Sequence, residues 1–214
     1  MRLRVACFIC CVVLTTAAHA GDEATSQAPT DATAARTWTF ALTAYPTDVR
    51  GGDNYTSAVA AADHGPLHLE ARYNYESIGA RSAYVGWAFS GGDAVTWQVT
   101  PIVGGAWGTT KSFVAGVEAS VAWRAVDFYV EAEYVPTSSR DDAYTYAWSE
   151  LGVRAAPWLR LGLAGQRTRT YGGDRQFQRG PFAQVTWRAV TLGGYWFNPG
   201  GDDQVLVASL GVKF

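Results

Sequence analysis

Seven charged residues stand in the middle of otherwise apolar segments, where they could bind charged solutes or each other. They are Arg72, Glu118, Glu131, Glu133, Glu150, Arg154 and Arg160. Each occupies an alternate position of its segment: Glu131 and Glu133, for example, alternate with Val130, Ala132 and Tyr134. Charges removed from water must be paired, whereas charges along a water-filled passage select among passing ions. The spacing therefore indicates either a charge-lined passage or a salt-bridged interior.

The sequence offers little for nucleophilic or general-base catalysis. Beyond residue 20 the chain has two histidines, His64 and His68, and no cysteine. No histidine of the chain is placed to reach the hydroxyl of Ser149. Because a weak nucleophile needs an adjacent base, we expect no enzymatic activity, and the residues leave open only a mechanism that uses carboxylates alone. We also expect no metal and no cofactor.

The segments that carry these charges have the two-residue period of β-strands. In residues 67–76 every odd position is apolar and every even position is polar. A helix would instead place apolar residues three and four apart. The same analysis predicts twelve strands, at 36–45, 55–63, 67–76, 80–90, 94–106, 112–123, 126–136, 143–155, 158–171, 176–188, 190–198 and 203–214.

The two faces of these strands indicate a membrane environment. The face formed by Phe113, Val117 and Val121 carries no charge, while the opposite face contains the charged residues. Strands of about ten residues can cross a bilayer at a tilt of ~45°, and closing the sheet removes edges that lipid would not tolerate. We therefore predict an all-β fold, a closed antiparallel up-and-down transmembrane β-barrel of about twelve strands with short loops on both sides. Hairpin pairing then places Glu118 beside Glu131 or Glu133 in an acidic stripe, and Arg154 near Arg160.

Six of the nine tryptophans support this orientation of the strands. They lie near the ends of their strands on the same side of the barrel as the predicted turns at 65, 92, 125, 156 and 189: Trp38, Trp87, Trp97, Trp123, Trp158 and Trp187. If both termini are periplasmic, an even strand count places these turns in the periplasm. A girdle of amphipathic rings at the membrane interface explains the pattern.

The first twenty residues have the three-part pattern of a cleaved signal peptide. A basic start is followed by an apolar run and by the cleavage motif AHA at 18–20. All three cysteines fall in this segment, so the remaining chain has neither disulfides nor thiol ligands. Residues 21–35 are small and polar and are predicted to form a disordered periplasmic leader, with the barrel at 36–214.

Of the 17 Lys and Arg residues, Arg2 and Arg4 lie in the signal peptide, which leaves 15 against 19 Asp and Glu. That balance excludes a basic nucleic-acid-binding surface.

The last ten residues, VLVASLGVKF, place apolar side chains at alternate positions up to the terminus: Leu206, Ala208, Leu210, Val212 and Phe214. This pattern resembles the closing strand of bacterial outer-membrane β-barrel proteins. The resemblance implies an assembly signal read by the barrel-assembly machinery, and a location in the bacterial cell outer membrane among its lipid and lipopolysaccharide. By size and strand count the chain also resembles the small twelve-stranded monomeric porins that admit acidic sugars or oligosaccharides. It differs from them because its inward face mixes both signs of charge instead of carrying basic tracks.

The resulting hypothesis is a narrow passive channel for small polar solutes or ions, lined by the seven charged residues. The alternative is a structural barrel filled by salt bridges, without conductance; a lipid-modifying barrel enzyme is less favoured. The recurring GGD motif, with Asp53, Asp174, Asp202 and Asp203, is assigned to turn chemistry in preference to cation binding. If the seven charged residues line the channel, Glu131→Lys should change ion selectivity with little effect on folding.

Overall fold

The structure, a computed structural model, describes residues 37–136, 143–171 and 175–214. Their regular structure consists of thirteen strands: β1 (Thr39–Val49), β2 (Tyr55–His64), β3 (Leu67–Tyr73), β4 (Arg81–Trp87), β5 (Phe89–Gly91), β6 (Val95–Trp107), β7 (Ser112–Trp123), β8 (Val126–Val135), β9 (Tyr144–Ala156), β10 (Leu159–Thr170), β11 (Arg175–Trp187), β12 (Val190–Phe197) and β13 (Val205–Lys213). Within these three ranges no helix is long and apolar enough to cross a membrane. The predicted signal peptide and leader lie outside the described residues.

The strands form one closed antiparallel barrel with twelve positions around its circumference. Each strand pairs with its neighbour in sequence, except that β4 pairs with β6 and not with β5, and β1 pairs with β13 to close the sheet. The short strand β5 continues β4 after an interruption at Ala88, and β4 and β5 both pair with β6. At the interruption the Ala88 amide donates to the carbonyl oxygen of Pro66 at 2.7 Å, in the turn between β2 and β3. The predicted twelve-stranded barrel is therefore confirmed, with one of its strands broken in two.

The chain terminus takes part in closing the barrel. The amide of Phe40 donates to the carbonyl oxygen of Phe214 at 2.7 Å, and the Phe214 amide donates back to Phe40 at 2.9 Å. The two rings stack with centroids 5.8 Å apart on the outer face. Leu206 and Leu210, on the same strand, also point outward and are exposed. The alternation of the last ten residues thus corresponds to an outward apolar face on the closing strand.

Two of the hairpins share the sequence WRAV at the barrel end where β1 begins and β13 ends, which we name the turn end. The turns at 124–125 and 188–189 join strands through two residues, with Trp123 opposite Val126 and Trp187 opposite Val190. Arg124 and Arg188 adopt left-handed φ angles of 54° and 53°, which costs energy for a residue with a Cβ. In each turn the guanidinium lies 4.9 Å from the centroid of the preceding tryptophan ring, a contact that offsets part of this cost.

Two of the connections at the opposite end are loops with local polar contacts. Asn198 Nδ2 donates to Asp203 Oδ2 at 2.6 Å in the loop between β12 and β13. Asn74, with φ 53°, receives a hydrogen bond on its Oδ1 from the Gly79 amide at 2.8 Å. The Asp203 contact fits the turn chemistry expected of an Asp residue after paired glycines. Asp174 lies outside the described residues.

The two faces of the barrel differ as the alternation predicts. Outward side chains are mainly apolar and exposed, and the six tryptophans predicted for the turn end are between 44 % and 68 % exposed. The inward face combines polar groups with buried aromatic side chains, among them Tyr45, Trp148, Tyr195 and Phe197. This arrangement is the reverse of a soluble sheet, where the apolar face is buried.

Candidate functional site: two ion-pair clusters in the lumen

The strands direct the charged residues predicted from the sequence to the inside of the barrel. The two-residue turn at 124–125 fixes the β7–β8 register, and Glu118 lies directly opposite Glu131, one of the two partners predicted for it. On the next hairpin, Arg154 of β9 lies opposite Arg160 of β10, which confirms the other predicted neighbours. Residues two apart on a strand share a face, so Glu133 follows Glu131 into the interior.

One guanidinium lies among four carboxylates in the lumen. We name this group the Arg72 cluster: Arg72, Glu70, Glu118, Glu131 and Glu133. Arg72 Nε donates to Glu70 Oε1 at 2.7 Å, and Nη2 donates to Oε2 of the same carboxylate at 3.0 Å. Arg72 Nη1 lies 3.0 Å from Glu131 Oε1 and 2.5 Å from Glu133 Oε1, and Nη2 lies 3.9 Å from Glu118 Oε1. The planar fork of five donors allows one arginine to contact several carboxylates at once.

Tyrosine rings hold the guanidinium of Arg72 from two sides. Its Cζ atom lies 4.1 Å from the ring centroid of Tyr75 and 4.3 Å from that of Tyr84. The Tyr75 hydroxyl is 2.8 Å from both carboxylate oxygens of Glu131 and donates to them. Because these rings restrict the position of Arg72, the cluster is a packed unit and not a set of mobile surface charges.

A second group, the Arg160 cluster, consists of Arg160, Asp127, Glu150 and Gln184. Arg160 Nε donates to Asp127 Oδ1 at 2.9 Å, and Nη2 contacts the same oxygen. Arg160 Nη1 donates to Glu150 Oε2 at 2.5 Å and to Gln184 Oε1 at 3.0 Å. Glu150 Oε1 accepts from the Tyr195 hydroxyl at 2.8 Å and from Trp148 Nε1 at 3.1 Å. This carboxylate therefore joins the ion pairs to the aromatic part of the interior.

Side chains from distant strands meet across the inside of the barrel. Arg72 of β3 reaches Glu133 of β8, four positions away around the circumference. Tyr75, just beyond β3, packs against Tyr146 of β9 with ring centroids 6.4 Å apart. The side chains of Arg72 and Glu131 are 0 % exposed. At this level the interior is filled in the conformation described.

The comparisons with known proteins were informative only at the level of structure. No family model matches the sequence, and no curated protein matches it either. The structure is similar to that of the KdgM porin in complex with disordered oligogalacturonate, with a TM-score of 0.55 and 9 % identity over 82 % of this chain and 98 % of the porin. The chain has the fold of outer-membrane porins. At 9 % identity the likeness concerns the fold alone.

Two further porin-fold structures were found at lower similarity. The outer membrane protein Omp33 of Acinetobacter baumannii gives a TM-score of 0.46 with 13 % identity, over 83 % of this chain and 98 % of that protein. OccK5 (OpdH) of Pseudomonas aeruginosa gives a TM-score of 0.44 with 9 % identity, over 79 % of this chain and 62 % of that protein.

All seven charged residues predicted from the sequence lie on the inward face of the barrel, toward the lumen. Six of them belong to the two clusters: Arg72, Glu118, Glu131 and Glu133 to the first, Glu150 and Arg160 to the second. Arg154 is half-buried on the same face, and within the described ranges it forms no ion pair. Whether these residues line a path for solutes stays a prediction.

Glu70 and Asp127 of the ion-pair clusters were not singled out in the sequence, and His68, beside the Arg72 cluster, was considered there only as a possible base. All three alternate with outward apolar residues, so the period that identified Glu131 also places them inside. Asp127 lies next to a turn and Glu70 is paired within its own strand. Sequence position alone therefore gave no sign that Glu70 and Asp127 belong to the ion-pair clusters.

Proposed function

We propose that the protein is a bacterial outer-membrane barrel that acts as a narrow passive channel for small cations and small polar solutes. The Arg72 cluster and the Arg160 cluster form its constriction in this proposal. The porin fold and the outward apolar face support a place in the outer membrane. The outward residues of β13, Leu206, Ala208, Leu210, Val212 and Phe214, would serve as the assembly signal, and outer-membrane lipid and lipopolysaccharide would surround the barrel.

The observation that carries the proposal is the excess of acidic groups in the constriction. Four carboxylates surround the single guanidinium of the Arg72 cluster, and Asp127 and Glu150 flank Arg160. A permanently dry interior would be expected to balance its charges, because unpaired buried charges are costly. Neutralising this excess takes protons or cations that enter from water. The lumen is therefore suited to admit cations and to repel anions.

The same charge distribution argues against acidic oligosaccharides as solutes. The KdgM porin was described with oligogalacturonate, a chain of repeated carboxylates. In the lumen of this protein, such a chain would meet six carboxylates and two guanidinium groups in the two clusters. Like charges in a narrow space of low dielectric repel strongly. We therefore do not extend that solute class to this protein, and no catalytic role is part of the proposal.

A second candidate function is a structural barrel with a filled interior. The observation in its favour is the complete burial of the Arg72 and Glu131 side chains, together with the contacts that cross the lumen. Twelve strands lie between the small barrels that side chains fill and the large open porins. The two candidates differ in one property, the conductance of the folded protein.

Single-channel recording in a planar bilayer tests the proposal, with a salt gradient to measure ion preference. We expect stable steps and a reversal potential that indicates cation preference. Glu131→Gln should shift the reversal potential toward anions, because it removes a negative charge from the constriction. Asp53→Asn, in an exposed loop, removes the same charge outside the lumen and should leave the potential unchanged. A folded barrel that never conducts would contradict the channel and support the filled barrel.

A further inference from the structure

Near the turn end of the barrel, three buried side chains place possible metal ligands close together. His68 and Glu70 share the inner face of β3, and Glu118 reaches them from β7. One ligand atom from each residue lies within 4.8 Å of the other two, and all three residues are buried. His68 Nε2 is 3.6 Å from Glu70 Oε2. At ordinary bond lengths, two ligands of a tetrahedral zinc ion are about 3.4 Å apart.

The two nitrogens of the His68 imidazole have different surroundings: Nδ1 is hydrogen-bonded to Asp63, and Nε2 lies on the side of Glu70. His68 Nδ1 lies 2.7 Å from Asp63 Oδ1, in a hydrogen bond. His68 Nε2 is buried and has no hydrogen-bond partner among the described residues. A metal-ligating histidine typically donates its other N–H to a carboxylate, which fixes the tautomer that leaves a lone pair for the metal. Asp63 and His68 have this arrangement.

We propose that His68, Glu70 and Glu118 bind a divalent transition-metal ion of the Zn²⁺ type. One imidazole and two carboxylates suit such an ion, and a water molecule would complete a tetrahedral site. The ion would add two positive charges beside a cluster in which one guanidinium faces four carboxylates. This assignment replaces the expectation from the sequence that the chain has no metal site.

The neighbouring Arg72 is compatible with the metal. It donates to both oxygens of Glu70, at 2.7 and 3.0 Å, but a carboxylate has about four lone-pair positions and can accept a guanidinium and a cation together. The side chain of Asp63 is 48 % exposed, so water reaches the outer edge of the site. A hydrated ion could therefore approach from the turn end of the lumen without crossing the two clusters.

Cobalt binding tests the proposal, because Co²⁺ replaces Zn²⁺ and its visible absorption reports nitrogen and oxygen ligands. The protein is extracted from membranes into detergent without a histidine tag, stripped with a chelator and titrated with Co²⁺. We expect one ion per chain, displaced by Zn²⁺. His68→Gln and Glu118→Gln should each abolish the absorption, and Asp63→Asn should weaken affinity by about 10–100-fold through the lost support of the imidazole.

His64→Gln is the matched control, since His64 stacks on Trp38 with centroids 4.9 Å apart and, in the part of the chain that the structure describes, belongs to no such group of ligands. It should bind Co²⁺ like the unmodified protein. A heat-dependent shift in electrophoretic mobility verifies that each variant is folded, and Glu118→Gln serves if His68→Gln does not fold. Absence of stoichiometric binding would overturn the proposal and indicate a proton on Nε2 in place of a metal. Equal binding by His68→Gln and His64→Gln would also overturn it. Neither result depends on whether the barrel conducts.

Discussion

Replacing Arg72 by methionine should destabilise the barrel far more than an ordinary substitution on the inner face. Methionine retains much of the side-chain length but removes the one guanidinium of the described residues that contacts Glu70, Glu131 and Glu133 at 3.0 Å or less. Breaking a buried ion pair by removing one partner typically costs about 3–5 kcal/mol, because the remaining charge stays buried and unpaired. Loss of the contacts with the tyrosine rings adds about 0.5–2 kcal/mol. We therefore expect the free energy of unfolding to fall by at least about 3 kcal/mol.

Arg154→Met provides the control for this measurement. Arg154 lies on the same face, is half-buried and opposes Arg160 across the β9–β10 hairpin. Its removal relieves a repulsion between like charges, so its effect should be near zero or slightly stabilising. Equilibrium unfolding in urea, with the protein in lipid vesicles, measures both variants. Tryptophan fluorescence reports the transition, since most of the nine tryptophans lie on the outer face and leave the lipid on unfolding.

A double variant separates the loss of charge pairing from a loss of packing. In the double variant of Arg72→Met with Glu133→Gln, one of the carboxylates that lose their partner is also neutralised. If unpaired charge causes the destabilisation, the double variant should be more stable than the sum of the single effects by about 0.5–3 kcal/mol. Additive effects, or equal losses in Arg72→Met and Arg154→Met, would refute the reasoning that Arg72 neutralises the buried carboxylates.

Three further changes address the barrel wall. Val130→Arg, on the outward face, should cost about 2–4 kcal/mol if it lies near the bilayer midplane, and urea unfolding in vesicles would measure this; a negligible cost would contradict the assigned faces. Gly180→Ala should destabilise by about 1–3 kcal/mol, because its Cβ would lie 1.7 Å from the carbonyl oxygen of Trp196, whereas Gly194→Ala has open space and should be tolerated in the same assay. Phe214→Ala keeps the backbone bonds that close the barrel, so it should refold in detergent but assemble poorly in cells; normal yield in the outer membrane would argue against the assembly signal.

Much of the architecture could be predicted because the outward face is restricted in composition. Lipid tolerates few polar groups, so alternation persists over long segments such as 112–123, and the strands found there match the predicted ones. Two-residue turns then fix the register, which is why Glu118 could be placed beside Glu131 or Glu133, and the structure pairs it with Glu131. The interruption at Ala88 could not be predicted, since it involves a hydrogen bond to Pro66 from another hairpin.

The contacts of the lumen were much less predictable than its residues. Hairpin pairing relates neighbouring strands only, whereas Arg72 and Glu133 meet across four barrel positions. That encounter depends on the cross-section of the closed barrel, which alternation does not encode. The contacts also change one expectation. Glu131 lies 3.0 Å from Arg72 Nη1, so Glu131→Lys would place two cations together and should impair folding. Glu131→Gln is therefore the better test of selectivity.

The acidic excess connects the fold with both proposals. If the lumen were a dry core held by salt bridges, selection for stability would favour equal numbers of opposite charges. It would also favour replacing the charges by apolar groups, because buried ion pairs seldom stabilise a protein more than good packing does. Here Glu118 contacts the guanidinium only at 3.9 Å, and it lies near His68 Nε2, which has no hydrogen-bond partner among the described residues. Both features are explained by a cation held at that point. A channel and a metal site would then use the same carboxylates, and conductance measured with and without Zn²⁺ should differ if the lumen is open.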